Sequence, residues 1–93
     1  RQPRRTADLL VVVGANLANQ DLRKMNLAGA DLRDADLRHA RLDLANLEKA
    51  RLQGANLTRA SLQQSNLRLA DLSNSHLVAF SYTHLRAHET LRY

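Results

Sequence analysis

Several groups of residues in this chain of 93 have types and spacings that could do chemistry. His84 and His88 are four apart, the helical spacing that turns two imidazoles toward one metal ion. No third ligand lies near them, so no metal site is expected. Asp31, Asp34 and Asp36 cluster as paired catalytic carboxylates do, but Arg33 and Arg38 interleave with them. A charge-balanced face is the simpler reading, because acid–base catalysis also needs a cleft. Gly14, Gly29 and Gly54 stand alone, so no glycine-rich loop cradles a phosphate. His39 and His76 are single histidines of the solvated kind. No catalytic, cofactor-binding or metal-binding residue is therefore expected, and no enzyme activity.

The formal charge of +5 raises nucleic acid as a partner until the charge is placed along the chain. Arg1, Arg4 and Arg5 outweigh Asp8 at one end, and Arg86 and Arg92 outweigh Glu89 at the other. Between Ala15 and Ala79 nine basic residues face seven acidic ones, so the body is nearly neutral. Aromatics make up only 3% of the chain, which leaves no platform for stacking bases. Nucleic-acid binding is not expected. The lack of cysteine excludes a disulfide framework and a thiolate metal site. No apolar run approaches the roughly 18–20 residues of a membrane-spanning helix, so no membrane partner is expected.

The elements that must carry these residues follow from one repeat. Leucine stands at every fifth position from Leu17 to Leu77, thirteen times without a slip. Two residues earlier comes Ala or Ser, except at Gln20 and Met25, and one residue earlier comes Asn or Asp in nine of the thirteen units. Five residues advance about 500° on an α-helix, so the leucines would walk around the cylinder rather than form a stripe. A straight strand fails because an odd period sends alternate leucines to opposite faces. A short extended piece followed by a corner works. Ala and Leu then point inward with Asn or Asp outward between them, and four such units close a square coil of 20 residues.

Side chains 20 apart would then stack at the sheet spacing of about 4.8 Å. Asp21 falls over Arg41, Arg23 over Asp43, Glu48 over Arg68, and Asp31, Arg51 and Asp71 alternate in sign. Asn26, Asn46 and Asn66 form an Asn ladder. No outward column places like charges in adjacent coils, as cross-strand energetics require.

The unit A(D/N)LXX, repeated from Ala15 to Ala79, resembles that of the pentapeptide-repeat proteins. The resemblance implies an all-β fold, a right-handed quadrilateral β-helix of about three and a quarter coils. It implies no enzyme activity. It also raises one specific role, because some members mimic DNA and bind the topoisomerase gyrase. That role needs a strongly acidic surface, which this body lacks.

The organisation expected is a basic extension over residues 1–8, an apolar cap or partial coil around Val12 over 9–14, the β-helix over 15–79, and a non-repeat tail over 80–93. Large inward residues such as Gln20 and Met25 are best tolerated beside an open end. Ser81 to Thr90 reads SYTHLRAHET and resembles a translated sequencing adapter, so the tail is expected to be read-through and the chain a fragment of a longer bacterial protein. Cytoplasmic localisation is expected. The function expected is a non-catalytic scaffold or protein–protein interaction module with an unidentified protein partner. Leu44 and Leu69 at corners of different faces are candidate contacts, and self-association through the exposed C-terminal coil is a further expectation.

Overall fold

A computed structural model of the chain describes residues 4–6 and 9–83. The architecture comes from one pairing rule. From Asn16 onward each paired residue meets the one 20 further on, in parallel: Asn16 with Asp36, Asp21 with Arg41, Asn26 with Asn46, and so on to Asn56 with His76. Pairing stays this local because the chain bends in every unit. The carbonyl of each central residue accepts the N–H three residues on, from Val12 to Ala15 (3.0 Å) through Leu77 to Phe80 (3.2 Å). The third residue of each turn has positive φ, as in Asn19 (63°), Leu44 (63°) and Gly54 (74°). That is the signature of a type II turn. A turn every five residues and a rung every 20 give the coil four sides.

The interior is as simple as the repeat. Every leucine from Leu17 to Leu72 at the five-residue period is fully buried. Beside them the small residues Ala30, Ala35, Ala40, Ala45, Ala50, Ala55 and Ala60 are also buried. Ser65 takes an alanine's place with its hydroxyl satisfied, Oγ donating to the Leu62 carbonyl at 3.0 Å. Gln20 is exposed and Met25 half-buried at the N-terminal end of the stack, where large residues at the small-residue position were expected.

The turn-and-rung pattern runs past the repeat at both ends, and upstream it gives way to a hairpin. Upstream, β1 (Arg4–Thr6) and β2 (Leu9–Val11) pair antiparallel, with Arg4 opposite Val11. Val12, five before Leu17, already makes the unit turn, and the Gly14 N–H donates to the Arg33 carbonyl at 2.8 Å. Downstream, β3 (Ser61–Gln63) pairs in parallel with β4 (Ser81–Thr83). The backbone thus keeps the 20-residue register beyond Ala79, although the side chains no longer match the unit. Phe80 takes the alanine position and Tyr82 the leucine position, with ring centroids 6.1 Å apart. His84, His88 and most of the adapter-like stretch lie outside the described residues.

Candidate interaction surface

With leucine and alanine turned inward, function falls to three outward positions per unit: the residue before the leucine and the two after it. The nine Asn and Asp residues before the leucines all do the same work. Each accepts, through its side-chain oxygen, the backbone N–H two residues on, from Asn16 with Ala18 (3.4 Å) through Asn46 with Glu48 (3.1 Å) to Asp71 with Ser73 (3.0 Å). This is the Asx-turn, a bond that only a short side-chain acceptor can make. Where Ser61 replaces the Asx residue, Asp43 Oδ1 reaches up from the coil below to accept Ser61 Oγ (2.5 Å) and Gln63 N–H (2.8 Å). Sequence reasoning recognised these residues only as outward. Their restriction to Asn and Asp, with other polar residues mostly absent, was the available signal.

The charges pair mainly along the coil. Arg23 forks onto Asp21, Nε to Oδ1 at 2.8 Å and Nη2 to Oδ2 at 2.7 Å. Arg33 grips Asp31 (2.7 and 2.6 Å) and Arg38 grips Asp36 (2.8 and 2.6 Å) in the same way. Residues two apart on a strand share a face, so one guanidinium can meet both carboxylate oxygens. These forks hold all three carboxyls below the ordinary range. The Arg33 hydrogen bonds outweigh partial burial to bring Asp31 to about 2, and Asp21 and Asp36 are lowered by Arg23 and Arg38. Of the ion pairs expected across coils, Glu48 with Arg68 is made, at 3.7 Å. Asp21 and Arg41 are rung neighbours, yet Asp21 is bonded to Arg23. In the Asn ladder, Asn66 Nδ2 donates to Asn46 Oδ1 at 3.3 Å.

Asp31 and Asp36 are thus ion-paired separately rather than brought together as a catalytic couple, and Asp34, His39 and His76 are exposed. A shallow recess of about 450 Å³ is lined by Asp21, Arg23, Lys24, Asp43 and Leu44. Both of its carboxylates are already bonded, Asp21 to Arg23 and Asp43 to Ser61 and Gln63. Among the described residues no group of three or more His, Asp or Glu could hold a metal ion. Large apolar side chains are exposed at Val13, Leu44, Leu69 and Val78. Leu44 ends a unit on one side of the prism and Leu69 ends a unit on the next. They therefore stand at the two corners bounding a single side, that of residues 45–49 and 65–69.

The sequence matches the family model for pentapeptide repeats in eight copies, over residues 13–48 and 40–77. The chain belongs to the pentapeptide-repeat family. Among solved structures it is similar to a pentapeptide repeat protein of the Arabidopsis thaliana thylakoid lumen. The two are 28% identical with a TM-score of 0.62, over 81% of this chain and 54% of that one. It is also similar to one from the cyanobacterium Cyanothece 51142, at 35% identity and a TM-score of 0.48, over 74% of this chain and 54% of the other. The chain thus spans about half the length of these two relatives. No curated protein matches it. For a pentapeptide-repeat chain the four-sided ladder is a right-handed quadrilateral β-helix, the fold of the family.

Proposed function

We propose that this pentapeptide-repeat chain is a non-catalytic scaffold or protein–protein interaction module that presents the flat sides of a β-helix of about three and a quarter coils. One observation carries the reading. The interior is filled by leucine and alanine, while the outward Asn and Asp residues are committed to turns and ion pairs. The described surface then has shape and charge to offer a partner, and its carboxylates are not poised for chemistry. A body of nine basic and seven acidic residues also argues against the DNA-mimicking, gyrase-binding role, which calls for dense negative charge.

Affinity capture tests this reading. The folded chain is expected to retain a defined protein partner that a core-broken Leu47→Ala/Leu52→Ala variant does not. Retention of the same proteins by both, or of none, counts against a scaffold role. Unchanged gyrase supercoiling at micromolar protein is the expected companion result. Self-association through the C-terminal coil belongs to the same proposal, because Leu77 there is only half-buried and Val78 is 70% exposed.

A further inference from the structure

Two matching pairs of residues stand at the corners of one side of the prism. Lys24 and Leu44 occupy one corner column a coil apart, and Lys49 and Leu69 occupy the next. All four have positive φ between 60° and 65°. A left-handed corner favours Gly or Asn, so leucine there gains nothing from its backbone. At 48% and 50% exposure these two leucines gain little from burial either. Among the described residues Lys24 and Lys49, like Arg41 and Arg59, make no ion pair, whereas Arg23, Arg33, Arg38 and Arg68 do.

The side between the corners is flat and almost uncharged. Asn26, Asn46 and Asn66 run up it in register, and its single acid, Glu48, is turned toward Arg68. The side and its two corners therefore carry an excess of positive charge, with one apolar side chain and one unneutralised ammonium at each edge. The side built from residues 31–34, 51–54 and 71–74 differs, since Asp31, Asp34 and Asp71 outnumber Arg33 and Arg51 there. The side of residues 20–24, 40–44 and 60–64 shares the positive excess but has an exposed leucine, Leu44, at one corner only.

We propose that the side bounded by Lys24–Leu44 and Lys49–Leu69 docks an acidic segment of a protein partner. Its carboxylates meet the two lysines and its apolar side chains cover the two leucines. This rests on the scaffold reading and gives it a face and a partner chemistry. Charge complementarity selects the acid, because a neutral or basic segment would leave both ammonium groups without a counter-charge. The Asn column selects a peptide over a lipid surface. With their oxygens held by the turns, Asn26 and Asn46 have their Nδ2 donors to offer a peptide carbonyl, whereas acyl chains would leave those donors unsatisfied.

The test titrates the isotope-labelled full chain with a short synthetic peptide of glutamates flanking two leucines, followed by NMR. Amide shifts are expected around Lys24, Leu44, Asn46, Lys49 and Leu69, with binding that weakens as salt is added. Affinity is expected to fall about tenfold or more in Lys24→Glu/Lys49→Glu and in Leu44→Asn/Leu69→Asn. Asparagine suits a left-handed corner, so the second variant is expected to keep the parent's urea midpoint. Affinity unchanged from the parent in either variant, shifts spread over other sides, or equal binding of a lysine-for-glutamate peptide overturns the proposal. Binding to phosphatidylglycerol vesicles that the same variants lose, without peptide binding, also overturns it in favour of a membrane surface. The defined probe reads this face alone, so a negative result here leaves the scaffold reading to the capture experiment.

Discussion

Leu47 has no exposed surface, and Ala45 beside it is equally enclosed. Leu47→Ala is expected to cost about 2–5 kcal/mol, the range for deleting a buried leucine whose surroundings cannot collapse. Ala45→Leu is expected to cost about 1–3 kcal/mol by overpacking. Urea unfolding checks both, and a loss under about 0.5 kcal/mol for either, the ordinary range of a surface change, would contradict the inward register. The forked aspartates predict acid lability. The folded pKa of Asp31 lies at about 2, below its ordinary 3.8. Its contribution to stability is full above the ordinary value and is lost as pH falls through the folded one. Asp21 and Asp36 act in the same direction. The urea midpoint is expected to drop between about pH 4 and pH 2, and Asp31→Asn is expected to be weaker at neutral pH with a shallower acid drop. An unchanged slope in that variant would remove Asp31 from the explanation.

At the scale of the element, each five-residue unit is a turn as much as a strand, and the turn depends on a left-handed residue. Gly29 and Gly54 both fill this position, with φ of 68° and 74°. A Cβ at Gly29 would meet open space, whereas one at Gly54 would collide with Asp34 Oδ1. Both alanine variants are expected to lose about 1 kcal/mol to backbone strain. Gly54→Ala is expected to lose more, and Asp34→Ala in the same chain should restore the difference. Equal losses at the two glycines in thermal melts would show that Asp34 moves aside freely. The corner was legible from the odd period of the leucines. The positive φ was not, because eleven of the fourteen corner positions hold residues other than glycine. Lys24, Arg59 and Leu69 have no local reason to be left-handed, and the stacked coils impose it on them.

The whole molecule is a stack in which each coil is satisfied by its neighbours, so its ends behave differently from its middle. Toward the C-terminal end, Leu77 is half-buried where the leucines below it are enclosed, and Ser81 to Thr83 add a rung over Ser61 to Gln63. Side chains secure that rung: Gln63 Nε2 donates to Ser81 Oγ, and Thr83 Oγ1 donates to Gln63 Oε1 at 2.7 Å. Self-association at this end is expected to appear in light scattering as an apparent mass that rises with protein concentration. A Val78→Lys change is expected to reduce it. A strict monomer across the accessible range would contradict end-to-end contact.

From the sequence alone, the five-residue spacing of leucine determined the inward face, the corner and the coil length. Opposite charges 20 residues apart, as in Glu48 and Arg68, supported that length independently. These features are legible because a strict repeat applies one local rule many times, and no other regular backbone accommodates it. The tertiary structure decided what local pattern leaves open. It chose Arg23 over Arg41 as the bonded partner of Asp21, since two residues on one short strand offer a bidentate fork. It sent Asp43 upward to replace a missing Asx residue at Ser61. It also left Leu44 and Leu69, at the corners of different faces that the register gives them, 48% and 50% exposed. Such choices depend on distances between coils, which exist only once the chain has wound onto itself.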